Sequence, residues 1–155
     1  MIYQHIPVLL NECIEGLNIR PDGTYLDGTL GGGGHSSKIL QRLGPGGRLF
    51  GIDRDRAALE ATAERIHDAR FQPIHGNFHD AIALLSSLGV SSLNGALLDL
   101  GVSSPQLDDG ARGFSYHEDA ALDMRMDRSQ ALTARTIVND WPEGEIARIL
   151  RDYGE

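Results

Sequence analysis

The sequence of 155 residues lacks the features that mark secreted and membrane-bound proteins. Cys13 is the only cysteine, so an internal disulfide is excluded, and a buried thiol in a reducing cytoplasm is expected. No apolar run approaches the roughly 20 residues of a membrane span. The first residues have neither the basic region nor the apolar stretch of a signal peptide. We therefore expect a globular protein of the cytoplasm.

Positive charge is also scarce. Lysine and arginine number 14 against 22 acidic residues, the net charge is −8, and Lys38 is the only lysine. Proteins whose main task is to bind phosphates normally carry clustered Lys and Arg. If RNA is the substrate, most of the electrostatic attraction must therefore come from outside this stretch of sequence.

The hydrophobic pattern predicts strands that alternate with helices. The predicted strands are Thr24–Asp27, Arg48–Asp53, Phe71–His75 and Gly95–Leu100. The predicted helices are Val8–Leu17, His35–Leu43, Asp55–His67 and His79–Leu88. This alternation favours an α/β fold in which a parallel sheet has helices on both faces. Pro73 places the third strand at the edge of the sheet, whereas the apolar fourth strand is expected to be fully buried.

The pattern changes after Leu100. The stretch 101–127 shows no clear periodicity, and its length suggests a functional role. Within it, Asp123–Asp127 alternates charged and apolar residues, which predicts a strand-like segment with one face in solvent. Helical signals resume over 131–141 and 142–153. Four strands are few for a doubly wound domain, so we expect the sheet to be incomplete.

Two features at the predicted strand ends point to a ligand site, because ligands of parallel sheets bind beyond the carboxyl ends of the strands. The glycine-rich loop Gly28–Gly34 lets the backbone approach a ligand closely, and the helix that follows presents N–H groups to an anion; a flexible turn is the alternative. Asp53 follows this loop by about 20 residues, the spacing of an acid that binds adenosine ribose hydroxyls. Its alternative role, capping the next helix, is one that Asp55 can fill.

Other residues at the strand ends are less decisive. Phe78 can stack on an adenine or simply pack in the core. Asp99 ends an apolar strand, where a lone acid has few structural roles. His75 and His79 do not share a helix face, so no metal site is predicted.

Seven motifs carry a resemblance to a known family. They are His5–Leu9, Asp27–Ser36, Asp53–Asp55, Asp99–Asp108, Arg112–Ser115, Leu122–Asp127 and Tyr153–Glu155. In this order they resemble the bacterial 16S ribosomal RNA cytosine-N4 methyltransferases, whose members are about twice as long as this chain. The resemblance covers the whole chain and implies a Rossmann-like class I methyltransferase core over 1–104. It also implies that 105–155 begins a helical insert for substrate recognition.

The resemblance further implies S-adenosylmethionine as the cofactor. The family's cofactor contacts fall on Gly33, Gly34, His35, Asp53, Phe78, Asp99 and Gln106. The implied reaction transfers a methyl group to N4 of a cytosine in the decoding region of 16S rRNA, within the small ribosomal subunit. Ser104-Pro105-Gln106 partly matches the polar loop of amino-group methyltransferases. We take the Ser104 hydroxyl as the catalytic candidate, because an acceptor at the amine protons can draw the lone pair out of conjugation.

Two alternatives stay open from the sequence. A nicotinamide-dependent dehydrogenase shares the glycine loop and the acid, although Ser36 stands where a G-x-G-x-x-G motif has its last glycine. A catalytically inert cofactor-binding module is the other. Without the later strands of the family's sheet, the stretch 95–100 would also be an unpaired apolar edge, for which we expect self-association or reduced stability.

Overall fold

The computed structural model describes residues 7–154. His5 and Glu155, which contribute to the motifs above, lie outside this range. The chain divides into two compact units, of which the first ends at Gly101 and the second begins at Val102. The domain boundary predicted between 104 and 105 stays a prediction.

The first unit contains a four-stranded parallel sheet. Its strands are β1 (Thr24–Asp27), β2 (Arg48–Asp53), β3 (Phe71–His75) and β4 (Gly95–Leu97). They lie in the order β3-β2-β1-β4, so β3 is an edge strand, as its proline predicted. The predicted bounds of β1, β2 and β3 are confirmed to the residue.

Four α-helices connect and flank these strands. They are α1 (Leu10–Gly16), α2 (Gly34–Arg42), α3 (Arg56–Arg65) and α4 (Ala81–Ser87), and a single 3-10 turn (Phe78–Asp80) precedes α4. All four predicted helices are present, but most are shorter than predicted. The Asp55 carboxylate caps α3 by accepting the N–H of Ala57 at 3.1 Å, so Asp53 is not needed for that role.

Alternating side chains place an apolar layer on each face of the sheet. Tyr25 and Leu49 belong to one cluster, together with residues of α1 and α2. Leu26 and Phe50, the next residue along each strand, belong to the second cluster with Leu85 of α4. Helices therefore cover both faces, as the alternation of elements predicted.

The prediction of a fully buried fourth strand over Gly95–Leu100 is wrong. β4 ends at Leu97, Ala96 is exposed, and Leu98 and Leu100 are 50% and 69% exposed. Within residues 7–154, β4 pairs with β1 alone and forms the second edge of the sheet. An apolar run predicts a strand but does not show how many strands lie beside it. The burial of these residues was overestimated for this reason.

The second unit is helical and irregular. Its helices are α5 (Ser104–Asp108), α6 (Ala134–Asp140) and α7 (Glu143–Tyr153), with a 3-10 turn at Gly110–Arg112. The two helices predicted after 130 are confirmed. None of the helices over residues 7–154 is both long enough and apolar enough to cross a membrane.

The strand-like reading of Asp123–Asp127 is wrong, since no strand forms there. Arg125 pairs with Asp123 at 2.7 Å, and its hydrogen bonds lower the pKa of that carboxyl to about 2. The buried Arg112 guanidinium donates to the carbonyls of Arg125 and Met126, each at 3.1 Å. Charged side chains thus hold an irregular backbone in place here and do not alternate across a sheet.

The exposed edge of β4 generates a test of self-association. We expect the 155-residue chain to show concentration-dependent mass in sedimentation, and Ala96→Lys to reduce it, because an edge lysine opposes strand pairing. Ala83→Lys, at an exposed position of α4, is the matched control and should leave the association unchanged. A chain that stays monomeric, or two variants with the same effect, would contradict association through β4.

Candidate functional site

The order of the strands creates a crevice in the first unit. The chain runs outward from β1 through β2 to β3 and then returns to the opposite side of β1 to form β4. Strand order therefore reverses between β1 and β4, the point at which doubly wound folds bind their ligands. The residues of interest follow the carboxyl ends of these strands.

The glycine loop leaves β1 in a conformation that requires glycine. Gly33, the residue just before α2, has φ +72°, and a Cβ on it would lie 3.1 Å from Cγ2 of Thr62. A Cβ on Gly34 would lie within 2.3 Å of Cγ of Pro7. A side chain at Gly33 or Gly34 would therefore require neighbouring atoms to move.

Helix α3 holds the same loop from one side. Thr62 donates its hydroxyl to the carbonyl of Gly31 at 2.9 Å, and Arg65 donates to that of Gly32 at 2.7 Å. Neither contact was predictable from the sequence, in which Thr62 and Arg65 are two of several polar residues in an alanine-rich helix. These bonds define the loop's conformation, in contrast to a flexible turn.

Asp53 is fixed by two backbone amides. One carboxylate oxygen accepts the N–H of Gly31 and the other the N–H of Asp55, both at 2.8 Å. Each oxygen of an ionised carboxylate can accept a second hydrogen bond. Asp53 is thus oriented at the end of β2 with acceptor capacity left for two ligand hydroxyls.

The contacts of Asp27 were not predicted, although the sequence places an acid at the end of a strand. Its side chain is completely buried and accepts the Ser36 hydroxyl at 2.7 Å and the N–H of Thr29 at 3.2 Å. Burial raises the pKa of the Asp27 carboxyl, and the hydrogen bond from Ser36 opposes that rise. Asp27 ties the end of β1 to both the loop and α2.

Asp99 and His35 face each other beyond β4. The two groups approach to 4.0 Å between Oδ2 of Asp99 and Nδ1 of His35, while the other ring nitrogen of the buried His35 lies 3.2 Å from the carbonyl of Val8. Asp99 was expected at the end of a buried strand, but it lies two residues past β4 with its side chain 46% exposed. Its main-chain N–H donates to the Thr29 hydroxyl at 2.7 Å.

Phe78 lies at the same end of the sheet. A Cβ placed on Gly28 would be 3.2 Å from Cβ of Phe78 and 2.5 Å from Cδ2 of Leu98, so these two side chains flank the start of the glycine loop. Phe78 is 40% exposed, which leaves ring surface available for a ligand. Its role in stacking stays a prediction.

Ser104 and Gln106 belong to the second unit. Ser104 is the half-buried first residue of α5, so the polar loop predicted here is helical from this residue. Gln106 is buried, and its side-chain oxygen accepts the N–H of Ser103 at 3.0 Å, which closes the first turn of α5. The cofactor role of Gln106 and the catalytic role of Ser104 stay predictions.

Comparison with solved structures identifies the class of fold. A structure of protein-L-isoaspartate O-methyltransferase matches with a TM-score of 0.52 and 16% sequence identity, over 62% of this chain and 30% of that one. At this identity the likeness shows the fold alone. It confirms the predicted Rossmann-like methyltransferase fold.

The sequence comparisons identify the family. The model of the MraW methylase family matches residues 2–155, and the chain belongs to this family. A protein of Symbiobacterium thermophilum named ribosomal RNA small subunit methyltransferase H is 52% identical over 157 residues, which cover 100% of this chain and 49% of that protein. One of Agathobacter rectalis, named ribosomal RNA small subunit methyltransferase H 2, is 54% identical over 100% of this chain and 50% of its own length.

The chain therefore spans about half the length of the curated relatives it matches. The resemblance deduced from the motifs is confirmed, and a methylase family agrees with S-adenosylmethionine as the predicted cofactor. The dehydrogenase alternative loses its support, because it rested on a glycine loop and an acid that both classes share.

The geometry of Asp53 generates a binding test. Asp53→Ala should weaken binding of S-adenosylmethionine by about 1–3 kcal/mol, because two ribose hydroxyls lose a charged acceptor. Calorimetry on the folded variant measures this, with Glu60→Ala on the exposed surface of α3 as the control. An unchanged affinity in folded Asp53→Ala would remove Asp53 from the site.

Proposed function

We propose that this chain supplies the cofactor-binding part of an enzyme that methylates N4 of a cytosine in the decoding region of 16S rRNA. The identity of 52% to a ribosomal RNA small subunit methyltransferase H, spread over the whole chain, carries this proposal. The motifs that resemble the cytosine-N4 methyltransferases supply the finer part, which is the base and the atom that is methylated.

The proposed cofactor residues suit S-adenosylmethionine. They are Gly33, Gly34, His35, Asp53, Phe78, Asp99 and Gln106. The fixed carboxylate of Asp53 accepts hydrogen bonds from ribose hydroxyls, and the N–H groups at the start of α2 attract a carboxylate. Phe78 offers an aromatic surface to the adenine, and Asp99 a negative charge to the cationic parts of the cofactor.

The chemical demands on the protein are modest. S-adenosylmethionine is itself a strong methylating agent, because its sulfonium carries a good leaving group. The protein aligns the acceptor nitrogen with the methyl group, excludes water and increases the nucleophilicity of the amine. The Ser104 hydroxyl is proposed to accept a hydrogen bond from the amine of the cytosine. The proton that the amine loses on methylation passes to water or to a nearby carboxylate.

Charge bears on how RNA is bound. The net charge of −8 repels phosphates, so the remaining half of a protein of the relatives' length would have to supply the attraction. The proposed partner is 16S rRNA in the small ribosomal subunit, and the proposed location is the cytoplasm. A cofactor-binding module without turnover is the second candidate for the 155-residue chain, because this chain spans about half of its relatives.

A methyl-transfer assay tests the proposed function. Small ribosomal subunits that lack the modification are incubated with methyl-labelled S-adenosylmethionine, and the labelled nucleoside is identified by mass spectrometry. The full-length Symbiobacterium thermophilum relative serves as the reference. We expect that enzyme to label N4 of a cytosine, and the 155-residue chain to transfer little or no methyl group because it spans about half the length of that enzyme.

Two results would contradict this proposal. Label on another base or atom would remove the cytosine-N4 assignment. Turnover by the 155-residue chain at the rate of the full-length reference would show that the other half is dispensable for RNA binding.

The proposed role of Ser104 is tested in a full-length version of the protein. Ser104→Ala should lower the single-turnover methylation rate more than the cofactor affinity, if the hydroxyl acts mainly in the transition state. Ser92→Ala, at an exposed position before β4, is the control. Wild-type single-turnover rates in Ser104→Ala would rule the role out.

A further inference from the structure

The Thr29 side chain continues the pairing of β1 with β4 after the main chains diverge. The paired residues end at Asp27 and Leu97, and the N–H of Gly28 still donates to the carbonyl of Leu97 at 2.9 Å. Beyond this bond the chain from β1 enters the glycine loop. The N–H of Asp99 donates at 2.7 Å to Oγ1 of Thr29, a side-chain oxygen in the place of a strand carbonyl.

Thr29 is itself fixed from the interior. Its N–H donates to the buried Asp27 carboxylate at 3.2 Å, and that carboxylate also holds the Ser36 hydroxyl of α2. Threonine is branched at Cβ, which restricts its χ1 rotation. The hydroxyl oxygen thus has a position set by the core of the first unit.

On its other side, Asp99 lies close to His35. The carboxylate of Asp99 lies 4.0 Å from the His35 ring, which is itself within hydrogen-bonding distance of the carbonyl of Val8. The Asp99 side chain is half-exposed at the crevice between β1 and β4. Its main chain is anchored to Thr29, and its carboxylate is directed toward the start of α2.

We propose that Thr29 is a positioning residue for the cofactor, whose hydroxyl holds Asp99 at the crevice so that its carboxylate meets the methyl donor. This inference rests on the proposed role of Asp99 in binding S-adenosylmethionine. The donor carries a sulfonium and an ammonium group, both of which a fixed carboxylate attracts. A carboxylate that is already in place spares the cost of ordering that segment on binding.

Calorimetry with S-adenosylmethionine on the 155-residue chain tests the proposal. Thr29→Val keeps the shape but removes the acceptor, and it should weaken binding about threefold to tenfold, the effect of one hydrogen bond. Its unfolding temperature should stay close to wild type, because water can reach the exposed N–H of Asp99. Thr29→Ser restores the hydroxyl and should restore affinity. Thr24→Val, at the other end of β1, is the matched control.

A double-mutant cycle separates positioning from a general structural role. If Thr29 acts through Asp99, Thr29→Val should weaken binding no further in an Asp99→Asn background. Should Thr29→Val lack a cooperative unfolding transition, Thr29→Ala takes its place in the cycle.

Several outcomes would overturn the inference. They are wild-type affinity in Thr29→Val, equal losses in Thr29→Val and Thr29→Ser, additive effects in the cycle, and no cofactor binding by the wild-type chain. The proposed function fails separately, in the methyl-transfer assay. If the Thr29 variants behave as expected but the methyl-transfer assay shows no label on cytosine N4, this inference stands and the proposed function fails.

Discussion

The buried carboxylate of Asp27 is the interaction on which the geometry of the crevice depends. It lies at the end of β1 without solvent contact and bonds both Ser36 on α2 and the main chain of Thr29. Burying a charge is costly unless hydrogen bonds compensate for the lost water, and these two bonds do so only in part, because the pKa of Asp27 stays raised. The folded chain then binds this proton more readily than the unfolded chain. The contribution of Asp27 to stability therefore falls as the pH rises above the usual carboxyl range.

Hydrogen bonds link the loop that Asp27 holds to the residues on both sides of the crevice. Toward β2, the loop reaches the carboxylate of Asp53 through the N–H of Gly31, and α3 holds the loop's carbonyls. Toward β4, Thr29 reaches Asp99. Asp53 and Asp99, whose carboxylates the proposed cofactor would contact, are thus held in place by the fold. Binding to groups that are already in place avoids the cost of rearranging them.

The sequence predicted the elements better than the contacts between them. The strands β1, β2 and β3 were predictable because turn residues bound each of them, and Asp55 carried a cap signal. The exposure of Leu98 was not predictable, since it depends on whether another strand lies alongside. The hydroxyls of Thr29 and Thr62 act over 70 and 31 residues of sequence separation, and no local pattern reports such bonds. The role of Gln106 came from the family resemblance alone, and that of Ser104 from the chemistry of the reaction and a partial match to a polar loop.

The run of glycines from Gly31 to Gly34 has a consequence for the energetics of binding. Each glycine has more conformational freedom in the unfolded chain than any other residue, so ordering this loop has a large entropic cost. Two hydrogen bonds donated by α3 and one accepted by Asp53 offset part of that cost. We therefore expect this loop to open locally before the sheet unfolds. A ligand bound to the loop would slow this local opening without changing the core. Ligand binding in the crevice would therefore slow amide hydrogen exchange in the loop at ligand concentrations too low to change the global unfolding of the protein.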